Sequence, residues 1–287
     1  MTILIALLAL GGLTLVLALM LIIANKKLYV YEDPRIDVVE GMLPHANCGA
    51  CGYPGCRPFA EALVKGEMPP AKCSVSSEEG QKEIAQFLGV DAGSEEKKVA
   101  RLACAGGNNV AINRARYEGI SSCRAEALVS GGGKGCSWGC LSHGDCEKVC
   151  DFDAITMNAF GLPVVDEAKC TACGDCVEVC PKDLFSIHPV SHRLWVACKS
   201  LEAGDGVLEE CEVGCTACGK CAMDAPSLIT MINNLPVVDY SKNHQTQAPI
   251  QRCPTGAIVW LEKNGEVIKG AEAKKIIRKG KLKMGES

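Results

Sequence analysis

Hydrophobic and polar positions divide the chain into three stretches of different texture. Residues 2–24 form an uninterrupted run of 23 positions without a charge. At roughly 1.5 Å per residue, such a run crosses a hydrocarbon core of about 30 Å as a single helix. Gly11 and Gly12 lie inside it, which membrane helices tolerate. A cleaved signal peptide is the alternative. It calls for a basic leader and a shorter apolar core, and no Lys or Arg precedes Lys26. Lys26 and Lys27 follow the run directly, so the positive-inside rule puts the C-terminal side in the cytoplasm. Residues 76–100 are polar and charged, with a helix-like stretch over 83–88.

The third texture is an internal repeat. Ala154-Ile-Thr-Met157 and Leu162-Pro-Val-Val-Asp166 return as Leu228-Ile-Thr-Met231 and Leu235-Pro-Val-Val-Asp239. The offset runs from 75 at Cys140/Cys215 to 73 at Cys180/Cys253. Each unit alternates Cys-bearing turns and short helices with short hairpin strands. Ser130-Gly-Gly-Gly-Lys-Gly135 reads as a flexible turn, and it lacks the Gly-Lys-Ser/Thr ending of a phosphate-binding loop.

Composition sharpens this picture. Twenty of 287 residues are Cys, well above ordinary usage. The chain is longer than small disulfide-stapled secreted proteins, and its cysteines recur in C-x-x-C groups that suit shared metal centres in a reducing compartment. Aromatic residues are only 5 %, too few for a large aromatic core, so metal ligation supplies part of the folding energy. A net charge of −4 argues against a nucleic-acid binder. The Lys-rich segment from 262 reads as a solvated tail. Its Lys274, Lys275, Arg278 and Lys279 are candidates for steering an acidic partner.

Cys170-x2-Cys173-x2-Cys176-x3-Cys180-Pro181 fits the bacterial ferredoxin run, in which three thiolates hold one [4Fe–4S] cluster and the fourth serves its neighbour. Zinc is the rival for any C-x-x-C pair. The partner run, Cys136-x3-Cys140-x5-Cys146-x3-Cys150, departs from the pattern, because His143 stands where the repeat has Cys218. Cys136 is expected to replace that thiolate, giving one cluster on Cys136, Cys140, Cys146 and Cys180 and another on Cys150, Cys170, Cys173 and Cys176. His143 is the alternative ligand. The second unit keeps Cys215, Cys218, Cys221 and Cys253 but has Ala225 where a further Cys is expected and none over 241–251, so one cluster is expected there. Cys211 aligns with Cys136 and competes with Cys253. Cys48, Cys51, Cys56 and Cys73 span 26 residues interleaved with Gly49, Gly52 and Gly55, and form a fourth cluster site or a zinc ribbon. Cys104, Cys123, Cys198 and Cys211 remain. They read either as buried apolar thiols or as a fifth cluster. Arg-Leu-Ala-Cys104 and Trp-Val-Ala-Cys198 look repeat-related.

The expected architecture is α+β: an anchor (1–25), a linker (26–40), a small Cys-rich domain (41–100), a connecting region (101–135), a two-cluster ferredoxin-like unit of two hairpins and two helices (136–195), a degenerate copy (196–261) and a basic tail (262–287). At least four [4Fe–4S] clusters are expected, and five if the spare cysteines ligate. No side chain is needed as a catalytic acid, base or nucleophile.

Several motifs carry a family resemblance: Leu43-Pro-His-Ala-Asn-Cys-Gly-Ala-Cys-Gly-Tyr-Pro-Gly-Cys56, Ala103-Cys-Ala-Gly-Gly-Asn108, Tyr117-Glu-Gly-Ile120 and Gly135-Cys-Ser-Trp-Gly-Cys140. With the apolar span and the ferredoxin-like runs, the chain resembles the B subunits of Rnf complexes over nearly its whole length. The resemblance implies an inner-membrane complex that couples electron transfer between reduced ferredoxin and NAD to Na⁺ or H⁺ movement. It implies entry of electrons from soluble ferredoxin at the cytoplasmic face and their relay to other Rnf membrane subunits, with the NAD site on another subunit. A redox sensor and a zinc-stabilised scaffold are the rival classes.

Overall fold

The computed structural model describes residues 1–28, 32–262 and 265–276. Helix α1, Thr2–Leu28, continues three residues beyond the expected anchor and carries Lys26 and Lys27 in its last turn. Its Leu10–Leu28 window has a mean hydropathy of 1.6, and the described residues bury none of it. Length and composition therefore fit a membrane crossing.

Three helices build the first Cys-rich domain: α2 (Arg35–Met42), α3 (Cys56–Lys65) and α4 (Glu78–Leu88). Val39, Phe59, Leu63 and Ile84 interlock as its core. Helix α4 starts earlier than the 83–88 pattern suggests. The Ser77 hydroxyl accepts from the Gly80 N–H at 3.1 Å, and Glu78 and Glu79 sit in the first turn, where the helix dipole favours them. Arg57 of α3 reaches Glu40 of α2 at 2.7 Å.

The rest is two copies of one scaffold. In the first, β1 (Lys98–Leu102) leads through α5 (Cys123–Ala127) and α6 (Asp145–Lys148) to the hairpin β2 (Ile155–Met157) and β3 (Pro163–Val165). Helix α7 (Asp175–Val179) and β4 (Phe185–Pro189) follow, and β4 closes back antiparallel on β1, with Leu102 opposite Phe185. The second copy follows with β5 (Leu194–Val196), a shorter connection carrying α8 (Val207–Glu210) with no counterpart of α5, then α9 (Lys220–Asp224), the hairpin β6 (Ile229–Ile232) and β7 (Leu235–Val238), and β8 (Ile258–Leu261) returning to β5. Each copy thus has one hairpin and one long-range strand pair, where two hairpins were expected. The boundary expected at 100/101 cuts β1, because 98–102 pairs with β4. The 101–135 segment belongs to the first copy.

The copies meet along their outer strand pairs. Ala103 N–H donates to Leu184 O at 2.8 Å in one, and Ala197 N–H to Ala257 O at 2.7 Å in the other, while Ala105 N–H bonds Ala197 O at 3.0 Å between them. The start of the expected tail is largely exposed, as expected, yet it also pairs back onto the second copy. Strand β9 (Val267–Ile268) pairs with β8, and Lys274 N–H bonds Pro254 O at 3.0 Å. Arg278 and Lys279 lie outside the described residues.

Candidate functional site: five cysteine tetrads

All 20 cysteines are free thiols, and each lines one of five cavities with three others. Cys48, Cys51, Cys56 and Cys73 surround the first. Its loop turns through left-handed backbone at Asn47, Gly49 and Gly52. The Asn47 carboxamide accepts the Cys56 N–H at 2.8 Å, fixing the start of α3.

In the first ferredoxin-like copy, Cys150, Cys170, Cys173 and Cys176 line one cavity, together with Ala100, Ala154 and Ile155. Cys123, Cys140, Cys146 and Cys180 line the next. In the second copy, Cys215, Cys218, Cys221 and Cys253 line a single cavity. The backbone repeats with them. Ser142, Ala172 and Ala217, each two residues after a Cys, hold left-handed φ of 66°, 60° and 58°. Such backbone costs a non-glycine residue about 1–2 kcal/mol. It turns the N–H groups of Ser142 and Ala217 onto the Cys140 and Cys215 sulfurs. Gly144, Gly174 and Gly219 then start α6, α7 and α9 at positive φ, which glycine adopts without strain.

The expected role of Cys136 is not met by the geometry. Cys123 lines the cavity of Cys140, Cys146 and Cys180, whereas Cys136 lines the fifth cavity, with Cys104, Cys198 and Cys211. The spare set expected from the sequence thus exchanges Cys123 for Cys136, and Cys211 does not compete with Cys253. A tight turn is the local reason. Gly139 N–H bonds Cys136 O at 3.0 Å, and Gly214 N–H bonds Cys211 O at 3.0 Å. In each copy one Cys precedes the turn and the next, Cys140 or Cys215, follows it into a different cavity. The fifth cavity therefore pairs Cys104 with its counterpart Cys198, and Cys136 with its counterpart Cys211, across the junction of the copies.

His143 does not line the Cys123 cavity. Its Nε2 meets Glu126 Oε2 at 2.5 Å and its Nδ1 meets Ser121 Oγ at 3.3 Å. Cys123 enters instead on α5, part of the segment that the second copy lacks. Ser122 Oγ donating to Asp145 at 2.7 Å ties α5 to α6.

Neighbouring cavities are linked by direct contacts between the residues that line them. Ser74 beside the first tetrad donates to the carbonyl of Thr171 beside the Cys170 tetrad at 2.6 Å. Helices α6 and α7 run between Cys146 and Cys150 and between Cys176 and Cys180, joining the two tetrads of the first copy. Lys134 lines the fifth cavity and bonds the carbonyl of Cys140 at 2.8 Å. Cys215 N–H approaches Cys198 Sγ at 3.3 Å. The five sites form one unbroken series through the protein.

The donor chemistry suits iron–sulfur clusters. Four soft thiols with apolar neighbours surround each cavity, and soft thiolates select zinc or iron–sulfur. Among the described residues no three His, Cys, Asp or Glu side chains converge closely enough for one ion; the thiols stand instead around the rims of their cavities. Burial, with neighbouring thiols adding to it, pushes Cys140 and Cys221 up to about 11 and Cys146, Cys176, Cys211 and Cys215 up to about 12. Thiols held this way keep their protons until a metal centre displaces them.

Comparison with known proteins agrees. Residues 43–75 match the Fe-S cluster family, and residues 136–185 match the 4Fe-4S dicluster domain. The chain is 39 % identical over 250 residues to the B subunit of the Na(+)-translocating ferredoxin:NAD(+) oxidoreductase complex of Acetobacterium woodii, covering 87 % of this chain and 75 % of that protein. It is 38 % identical to the B subunit of the ion-translocating oxidoreductase complex of Methanosarcina acetivorans, covering 87 % and 95 %. It is also 38 % identical to the B subunit of the proton-translocating ferredoxin:NAD(+) oxidoreductase complex of Clostridium ljungdahlii, covering 85 % and 87 %.

Proposed function

Since the chain belongs to the family of B subunits of ion-translocating oxidoreductase complexes, we propose that it accepts electrons from reduced ferredoxin and relays them through [4Fe–4S] clusters to partner subunits. The observation that carries this reading is the unbroken series of five cysteine tetrads. The ligand sets are Cys48, Cys51, Cys56 and Cys73; Cys150, Cys170, Cys173 and Cys176; Cys123, Cys140, Cys146 and Cys180; Cys104, Cys136, Cys198 and Cys211; and Cys215, Cys218, Cys221 and Cys253.

When bound, the clusters supply one-electron redox chemistry; this chain supplies position, hydrogen bonds and burial. The N–H groups of Ser142 and Ala217 stabilise negative charge on their sulfurs, and apolar walls such as Ile155, Phe185 and Ile258 exclude water from the thiolates. No side chain has to move a proton. Helix α1 tethers the domains at the membrane, with Lys26 and Lys27 favouring their cytoplasmic placement. The NAD site belongs to another subunit in this reading, and the complex supplies the coupled ion movement.

The test is iron, zinc and acid-labile sulfide per chain on the anaerobically purified full-length protein, with absorbance recorded on adding reduced ferredoxin. About 20 irons and 20 sulfides, with bleaching by ferredoxin, are expected. About 16 irons would remove one tetrad from the series. Stoichiometric zinc without iron would replace the relay by a scaffold.

A further inference from the structure

Lys134 is a lysine in an unusual place. It is 7 % exposed. Its ammonium nitrogen donates to Gly106 O at 2.5 Å and to Cys140 O at 2.8 Å. Among the described residues no carboxylate lies within ion-pair distance of it. Glu126, the buried acid of the same segment, is taken by His143 and by the Gly133 N–H at 2.8 Å. A buried charge without a counter-charge is strongly destabilising, and proteins seldom retain one.

The backbone holds Lys134 firmly. Gly135 N–H bonds Ile112 O at 2.9 Å, Arg114 N–H bonds Gly133 O at 2.8 Å, and Asn113 and Lys134 face each other in an antiparallel bridge. The glycine-rich stretch that reads as a flexible turn is one side of a short ladder. Gly139 is needed for the side chain to pass, because a Cβ there would stand 2.8 Å from the Lys134 Cδ. The ammonium group is thereby delivered to the wall between two tetrads. It lines the cavity of Cys104, Cys136, Cys198 and Cys211, and it holds the carbonyl of Cys140, a member of the next tetrad. The second copy has no such group. Glu209 stands two residues before Cys211, where Lys134 stands before Cys136, and it is exposed.

We propose that Lys134 is the shared counter-cation of these two sites, and that it raises the reduction potentials of the clusters they hold. Four thiolates around a cubane leave a net negative charge, which grows by one on reduction. A fixed positive charge between two such sites favours the reduced form at both and offsets the burial of Lys134 itself. The inference rests on the ligand sets proposed above. Lys134 contacts backbone carbonyls, so it acts on the clusters through its field and is a positioning residue, with no catalytic contact of its own.

The test compares Lys134→Met, which keeps length without charge, and Lys134→Arg, which keeps charge. Both are made in the full-length protein, and potentials are read by EPR-monitored redox titration. Signals are assigned by their loss in Cys104→Ala and Cys123→Ala. In Lys134→Met, the reduced-to-oxidised ratio at a fixed potential is expected to fall at least tenfold at these two sites, about 59 mV for one electron. The site of Cys48 is expected to be unmoved, and Lys134→Arg to restore both potentials. Full iron with unmoved potentials in Lys134→Met overturns the proposal, as does an equal shift at all five sites. Should Lys134→Met lose iron, the arginine variant decides: iron retained there supports the counter-charge, and iron lost in both assigns Lys134 to packing. Wild-type protein carrying zinc and no iron overturns the ligand reading first, before any variant is made.

Discussion

The two ferredoxin-like copies share a backbone and differ in what fills it. In the first, Cys146, Cys170 and Cys176 lie inside the core with Val99, Ala154, Ile155 and Phe185. In the second, the place of the Cys170–Cys176 loop is taken by a 3₁₀ turn over Ala248–Ile250, and Ala225 replaces Cys150. Ile250 is completely buried there, beside Leu194, Leu228 and Ile258, with Tyr240 against them. One copy uses a second thiolate site where the other uses side-chain packing. A cysteine loop and a hydrophobic plug are thus alternative ways of filling the same scaffold, and ligation stands in for burial as it does in other small metal domains.

The largest effect should come from emptying the thiolate site that the second copy has lost. Cys176→Ala is expected to lower iron by about four per chain. It should expose β1, β4 and the β2–β3 hairpin to amide exchange while β6–β7 stays protected. Uniform exchange in both copies would mean that they do not differ in this way. Next comes the fourth ligand of the Cys123 site. Cys123→Ala should lose about four irons, and adding His143→Cys should restore them, because the repeat puts Cys218 at that position. Failure of the double variant would show that α5 positions the thiolate in a way the repeat position cannot. Ile250→Ala should destabilise the second copy by about 2–5 kcal/mol with iron unchanged, measured by denaturant melts.

A smaller effect belongs to the junction of the copies. His188 on β4 faces His192 with their Nδ1 atoms 3.1 Å apart, and Tyr240 stacks on His192 at 3.8 Å. Arg101, Glu96 and His244 also face them. Burial lowers the pKa of both His188 and His192, with the neighbouring imidazoles adding to it. Unfolded histidine titrates near about 6.5, so stability is complete above that pH and is lost as pH falls through it toward the lower folded values. Between pH 7 and 5.5 the wild type should lose melting temperature more steeply than His188→Phe. Parallel slopes would rule out His188 as the titrating group. The smallest effect is a null one. Ala225→Cys alone should add no iron, because 241–251 offers no partner thiols.

Much of this is legible in the chain. The apolar run 2–24 marks α1, and the 73–75 residue offset marks the two copies. The sets Cys48/Cys51/Cys56/Cys73, Cys150/Cys170/Cys173/Cys176 and Cys215/Cys218/Cys221/Cys253 each gather in one cavity, in keeping with their spacing. The readings that fail share a cause. Closeness in sequence pairs Cys136 with Cys140, yet the intervening turn sends them to different cavities. Lys134 reads as part of a loose turn because nothing local marks its ladder with 112–115.

What the sequence determined by itself is therefore what its motifs and their repeat set: the apolar helix α1, the thiolate loops with the fourth cysteine that the ferredoxin pattern assigns to each, and the glycines that start α6, α7 and α9. Only the tertiary structure decided how the thiols outside the ferredoxin runs meet. Cys104 and Cys136 reach Cys198 and Cys211 because β1 closes on β4, β5 closes on β8, and Ala105 bonds Ala197 between the copies. Those contacts depend on the burial of strands far apart in the chain, and no spacing of cysteines encodes that.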